Sequence, residues 1–327
     1  MTGIYLNIPL KKEGESYSSF IRIKELAEKD KHKTHCLIEN PEDCDIILFC
    51  GSDRKYMQDI FVNPLYKKYK FKSFIISSND KFISYLPGLY SSLEKRWYDP
   101  DWERSFHYIG IREEPPLLYN EHLNQKEYLF SFIGQADNHP IRKKIMNLKC
   151  KNSFLKDIQN LKVKKKKGLI VHPEDYKNYR SEYAENLNKS YFVLCPRGFG
   201  TSSFRLFETM MMGRVPVIIS DEWVEPAGIN WDEFSIRIKQ KNVSIIPQIL
   251  NERTAYADIM GIKARHIWEE YFSEKSSFHR IAEWLNEIKS EGKINNKFVQ
   301  VKKHMQLLRP YHFLRFAKDA SANIKIK

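Results

Sequence analysis

One stretch constrains the fold more than any other: Ser190 to Arg237, SYFVLCPRGFGTSSFRLFETMMMGRVPVIISDEWVEPAGINWDEFSIR. Tyr191 to Cys195 is an apolar run of strand length, and Pro196-Arg197-Gly198-Phe199-Gly200 turns the chain. Thr201 or Ser202 is placed to cap a helix running to Met212, and Gly213 supplies its stop. Val215 to Ser220 then reads as a second buried strand. The pattern predicts a βαβ unit, whose crossover is right-handed and whose strands run parallel. In such a unit a ligand sits at the strand carboxyl ends, over the loop and the helix N-terminus.

The predicted helix has two faces. Phe204, Phe207 and Met211 follow the spacing of a core stripe, widened by Leu206 and Met210. Arg205 and Glu208 lie three residues apart on the remaining face, near the loop that carries Arg197. One reading is a surface ion pair, worth at most about 1 kcal/mol. The other is a nucleotide site, with arginines and amide groups taking a diphosphate and a carboxylate accepting from ribose hydroxyls. Spacing alone leaves both open.

CPRGFGTSSFRLFE followed by GRVPVIISDEWVEP resembles the signature of the exostosin glycosyltransferases. PGLYSSLEKRWYDPDW, from Pro87, and YLFSFIGQADNHPIRKKI, from Tyr128, resemble the same family, and the likeness runs from about Pro87 to Leu285. It implies an α/β fold of GT-B architecture, with two Rossmann-like domains facing each other across a cleft. It also implies transfer with inversion from a nucleotide sugar, expected to be a UDP-sugar; no further cofactor and no metal are expected. Negative charge then develops on the departing diphosphate, which fixed cations and amide donors stabilise. Arg197 and Arg205 are the expected catalytic cations. Arg142, Gly198, Gly200, Thr201, Ser202 and Ser203 complete the donor site, with Glu208 on the ribose and Asp221 shaping the pocket. The general base belongs to the acceptor side. Asp80, at the exit of the strand Ser73 to Ser77, is the first candidate, ahead of Asp99 and Glu114. Trp97, Tyr98 and Trp102 stand among prolines, where aromatic faces suit an acceptor sugar or seal an interface. The implied role is surface polysaccharide synthesis on a glycan or lipid-linked acceptor, in capsule or lipopolysaccharide; the alternative is a sugar-nucleotide or glycan-binding protein without turnover.

Other chemistries fit less well. A dinucleotide fingerprint would need a third glycine where Ser203 stands, and no phosphate-binding GxxxxGK[ST] sequence occurs. Asp43-Cys44-Asp45 and Asp99-Pro100-Asp101 match the short Asp-x-Asp pattern of manganese-dependent transferases, but the first enters a buried strand rather than leaving one. His32, His35 and Cys36 form a loose ligand-like group whose spacing matches no standard zinc site.

Length and composition set the frame. The 327 residues suit two domains, here expected at 1–125 and 126–290, with a basic and helical tail over 291–327. Candidate strands at Ile4–Ile8, Ile46–Cys50, Ser73–Ser77, Tyr128–Gly134, Gly168–His172 and Phe234–Ile238 alternate with helical segments at Ser18–Lys29, Lys55–Tyr69 and Tyr176–Asn188. Pro87 to Pro116 reads as loop and short turns. Five cysteines without a CxxC pair favour neither a disulfide scaffold nor a zinc ribbon, and Cys195 reads as a packing residue. No apolar run is long enough to span a bilayer and no signal peptide is evident, so a cytoplasmic location is expected. The net charge of +13 asks for an acidic partner. A nucleotide sugar fits, and so does an anionic membrane surface met by the tail from Val299, unless that tail packs on the enzyme. Nucleic acid has no recognisable motif here.

Overall fold

The computed structural model describes residues 1–9, 14–51, 60–80, 83–119, 126–158, 165–166, 169–170, 173–291, 293–305, 308–310 and 313–314. The chain makes two compact units. The first is Met1–Gly110 with Val224–Ala227 and Glu274–Lys327; the second is Ile111–Trp223 with Gly228–Ser273. Both are built on parallel sheets, as alternating strands and helices require.

In the first unit six strands stand in the order β2-β1-β3-β4-β5-β6, all parallel. They are β1 (Thr2–Asn7), β2 (His35–Leu37), β3 (Ile46–Cys50), β4 (Ser73–Ser77), β5 (Gly88–Tyr90) and β6 (Glu103–Ser105). β3 and β4 are buried along their whole length, which is why IILFC and SFIIS are nearly unbroken apolar runs. β5 and β6 lie inside the stretch read as loop, because three residues carry no periodic signal. The helix expected over 55–69 is described only from Ile60 and is interrupted at Asn63, whose side chain accepts from Leu65 N–H and caps α2 (Pro64–Lys68). Residues 55–59 lie outside the described residues.

The expected boundaries move. The division falls after Gly110 rather than at 125, and the chain rejoins the first unit at Glu274. The amphipathic helix that follows, here α8 (Ser277–Ser290), buries Ile281, Leu285 and Ile288, with Trp284 edge-on to Phe106 of the first unit at 5.6 Å. Its stripe states that it packs on something, not on which sheet. The described part of the tail is not separate either. Lys303 of α9 (Lys297–Met305) is buried within 3.1 Å of Asp99 and 4.0 Å of Glu103, while Arg309 covers the Trp97 ring at 4.5 Å.

Glu103 is 0% exposed, and burial pushes its carboxyl up to about 7 even with Lys303 beside it. A folded pKa above the unfolded 4.5 means the native state holds the proton more tightly, so this group's contribution falls as pH rises from 4.5 to about 7. The span corresponds to about 3 kcal/mol. Glu103→Gln is therefore expected to flatten the stability profile between pH 5 and 7.5 by about 2 to 3 kcal/mol in urea unfolding; an unchanged profile would contradict the assignment.

Among the described residues, the main sheet of the second unit has five parallel strands in the order β13-β12-β11-β7-β8. They are β7 (Tyr128–Gly134), β8 (Ser153–Asp157), β11 (Ser190–Pro196), β12 (Val215–Ile219) and β13 (Ile236–Arg237). β8 is a half-exposed edge strand, and its SFLKD sequence is too polar to read as one. The strand expected at 168–172 does not join this sheet: β10 (Leu169–Ile170) pairs antiparallel with β9 (Lys165–Lys166), and 168, 171 and 172 lie outside the described residues. Phe130, Phe132, Phe192, Leu194, Val217 and Ile219 form a core with Ile141 and Ile145 of α3 (Pro140–Met146), Ile246 and Leu250 of α6 (Ile246–Arg253), and Met260 of α7 (Ala257–Ile267).

The βαβ unit is present with two adjustments. Its helix, α5 (Phe204–Met211), begins after Ser203, so neither Thr201 nor Ser202 occupies the cap position. Phe204 is 48% exposed and leaves the predicted stripe, while Leu206, Phe207, Met210 and Met211 are buried. Gly213 ends the helix at φ +63°, a left-handed conformation that suits glycine. Gly261 of α7 meets it closely: a Cβ there would lie 2.5 Å from the Gly213 carbonyl oxygen. Helix propensity alone predicts that Gly261→Ala gains about 1 kcal/mol. The contact predicts a loss of about 1 to 3 kcal/mol instead, read as a fall in Tm.

Candidate functional site

Strand order locates the site. The chain steps from β7 to β8 on one side, then crosses back to place β11 on the other side of β7 before adding β12 and β13. The sheet therefore reverses its direction of growth between β7 and β11, and parallel α/β sheets bind ligands beyond the strand carboxyl ends at such a point. The loops there are Gln135–His139 after β7 and Arg197–Ser203 after β11.

Two arginines lace these loops together. Arg142 is buried in the first turn of α3, and its Nε donates to the Arg197 carbonyl at 2.9 Å. Its Nη1 reaches Gln135 O and its Nη2 reaches Pro196 O, each at 3.3 Å. Arg205, buried in α5, donates through Nη2 to the Ile133 carbonyl and lies 4.7 Å from the Phe132 ring centroid. The neighbouring glycines are explained by these guanidinium groups. A Cβ at Gly198 would come within 3.0 Å of Arg142 Nη2, and one at Gly134 within 2.7 Å of Arg205 Nη2. Arg142 and much of Arg205, expected to face a phosphate, are thus committed to backbone carbonyls, because a strand end without further pairing leaves oxygens that need donors.

Some donors remain unmatched. The Nε atoms of Arg197 and Arg205 and the Ser220 hydroxyl at the end of β12 are buried without a hydrogen-bond partner. Native interiors seldom tolerate such groups unless a ligand or water completes them. Thr201, Ser202 and Ser203 are buried along the loop, whereas Phe199 at its tip is 54% exposed. Asp221 is exposed and accepts from the Gln240 N–H at 3.0 Å, so its visible task is to hold the following turn.

Glu208 does not pair with Arg205. Its Oε1 accepts from Arg180 Nη1 at 3.0 Å and its Oε2 from Tyr183 OH at 2.7 Å, both on α4 (Pro173–Asn188). Neither partner was picked out from sequence; the signal available was only an aromatic and basic helix preceding the motif. His139 was missed as well. It caps α3 by accepting the Ile141 N–H at Nδ1, 3.2 Å away, and burial, then the charges of Arg197 and Arg142, lower its pKa. The imidazole is therefore neutral near pH 7, and with Nδ1 accepting, its proton resides on Nε2. Burial pushes the Cys195 thiol up to about 12, in keeping with packing rather than reactivity.

In the first unit, Asp80 follows β4, and its Oδ1 accepts from Tyr108 OH at 2.6 Å and Ser92 Oγ at 3.3 Å. Trp102, expected at an acceptor surface, is instead a core residue, 2% exposed beneath Lys303. Trp97 and Tyr98 are half-buried, the former between Arg96 and Arg309. Both Asp-x-Asp pairs are engaged: Asp45 accepts the Gly3 N–H, and Asp99 and Asp101 meet Lys303 and Lys293.

Residues 112–253, which contain Arg142, Arg197, Arg205 and Glu208, match the Exostosin GT47 domain. Among curated proteins, the exostosin-1 homolog of Caenorhabditis elegans is 31% identical over 165 residues, covering 45% of this chain and 41% of that protein. A probable glucuronosyltransferase of Oryza sativa subsp. japonica is 26% identical over 160 residues, 48% of this chain and 35% of its own. The chain thus spans less than half the length of either relative. Among solved structures, Anabaena HepE in complex with UDP and glucose aligns at a TM-score of 0.44 and 10% identity, covering 88% of this chain and 99% of that one.

The buried Glu208 cluster makes a graded prediction. Tyr183→Phe removes one bond and should cost about 1 to 2 kcal/mol. Arg180→Met leaves a buried carboxylate without its cation and should cost about 3 kcal/mol. Urea unfolding of both variants measures the order.

Proposed function

We propose that this chain is a glycosyltransferase that takes a sugar from a nucleoside-diphosphate donor, a UDP-sugar in the first instance, and transfers it with inversion to a glycan or lipid-linked acceptor. The observation that carries this reading is the set of buried, unmatched donors, Arg197 Nε, Arg205 Nε and Ser220 Oγ, at the strand carboxyl ends of an exostosin GT47 domain. A diphosphate supplies the oxygen acceptors these groups lack. In the transfer, an acceptor hydroxyl forms a bond to the anomeric carbon as the bond to the diphosphate breaks. The acceptor proton passes to a carboxylate, for which Asp80 is the proposed base. Charge that accumulates on the departing diphosphate meets arginine and amide dipoles already fixed in place, so little reorganisation is needed.

Glu208 would use its remaining lone pairs to accept from the ribose, held in orientation by Arg180 and Tyr183. His139 Nε2–H adds a neutral donor near Arg197. The relatives named as exostosin-1 homolog and probable glucuronosyltransferase support a sugar-transfer reading; a role in surface polysaccharide synthesis is part of the proposal. On α9 the exposed Phe298, Val301 and Met305 beside Lys297 and Lys302 support a peripheral contact with an anionic membrane. No described helix is long and apolar enough to cross a membrane.

The test is a thermal-shift and calorimetric screen of the full chain against UDP-, GDP- and CMP-sugars, followed by donor turnover. Arg197→Ala should leave folding intact, because its Nε makes no hydrogen bond, yet lower kcat by about 100- to 1,000-fold. Failure to bind any nucleotide or nucleotide sugar at millimolar concentration would sink the proposal. Binding without turnover would favour a sugar-nucleotide-binding protein.

A further inference from the structure

The histidine group that matched no standard spacing in sequence acquires partners from 244 residues downstream. His35 lies in β2, at the edge of the first unit's sheet. His279 and Glu283 lie one turn apart on α8, and an i,i+4 spacing puts both on one helix face. His35 Nε2 and Glu283 Oε1 are 2.7 Å apart. One ligand atom from each of His35, His279 and Glu283 falls within 4.8 Å of the others. His32 stacks on His279, with ring centroids 4.0 Å apart and planes at 20°.

We propose that His35, His279 and Glu283 bind a divalent transition-metal ion of the zinc class, as a structural clamp between β2 and α8. The donor set is two imidazoles and a carboxylate, the mixed nitrogen and oxygen chemistry that zinc accepts in tetrahedral sites. Ligand atoms about 2.1 Å from zinc lie about 3.4 Å from one another, so small side-chain rotations bring the three into place. Two further observations bear on the site. The His35 side chain is 6% exposed, and its Nε2 faces the Glu283 carboxylate. His279 Nδ1 is engaged by Thr34 Oγ1 at 2.9 Å, the kind of outer contact that orients an imidazole and leaves Nε2 for a metal. The fourth position falls to exposed His32 or to water. A metal there joins segments that are adjacent only after the chain has returned to the first unit, so it stabilises that return.

This proposal is independent of the donor site, and its test reads metal and stability rather than transfer. Chelator-stripped, tag-free full-length protein is dialysed against Zn²⁺ and analysed for bound metal, with Co²⁺ as a spectroscopic probe of tetrahedral geometry. Wild type should take up about one equivalent and rise in Tm with Zn²⁺. His279→Ala and Glu283→Gln should each weaken binding on the order of 100-fold and remove the Tm rise, while a His266→Ala control keeps both. Absence of stoichiometric uptake by wild type, or wild-type affinity in both variants, would overturn the proposal.

Discussion

The geometry of the loops after β7 and β11 depends on arginine side chains answering backbone carbonyls. Where β7 and β11 run out, Arg142 supplies a nitrogen to each of the Gln135, Pro196 and Arg197 carbonyls. Arg205 does the same for Ile133. These bonds hold the two loops at the point where the sheet reverses its order, and they explain the glycines at 134 and 198 as space for guanidinium groups. A loop held in this way has its amide groups set in place by the fold itself.

Cations at the site therefore divide by task. Arg142 donates to three backbone carbonyls, Arg205 is shared between a carbonyl, an aromatic face and an unmatched Nε, and Arg197 has its Nε buried without a hydrogen-bond partner. Arg180 neutralises Glu208, so that buried carboxylate is tolerated and oriented. The sequence motif contains three of these residues but carries no mark of the division. It follows from which carbonyls happen to be orphaned nearby.

What was legible in the chain was whatever rests on local periodicity. β3, β4 and β7 stand at the expected residues because buried parallel strands are unbroken apolar runs. β5, β6 and β8 escaped notice, two for being three residues long and one for being half exposed and charged. Trp102 illustrates the same limit: an aromatic among prolines reads equally as a sugar platform or as core, and only the packing of α9 with its buried Lys303 decides for core.

The amino-acid sequence by itself determined that the chain alternates strands and helices, that a glycine loop joins β11 to α5, and that its motif resembles an exostosin signature. Each of these depends on residues close together in the chain. Tertiary structure alone decided that Glu208 answers to Arg180 and Tyr183, that α8 and α9 return to the first unit, and that His35 meets His279 and Glu283. Those pairings span from 25 to 248 residues. At such separations the chain's own periodicity carries no information, and burial, charge and the strand order of the sheets choose the partner.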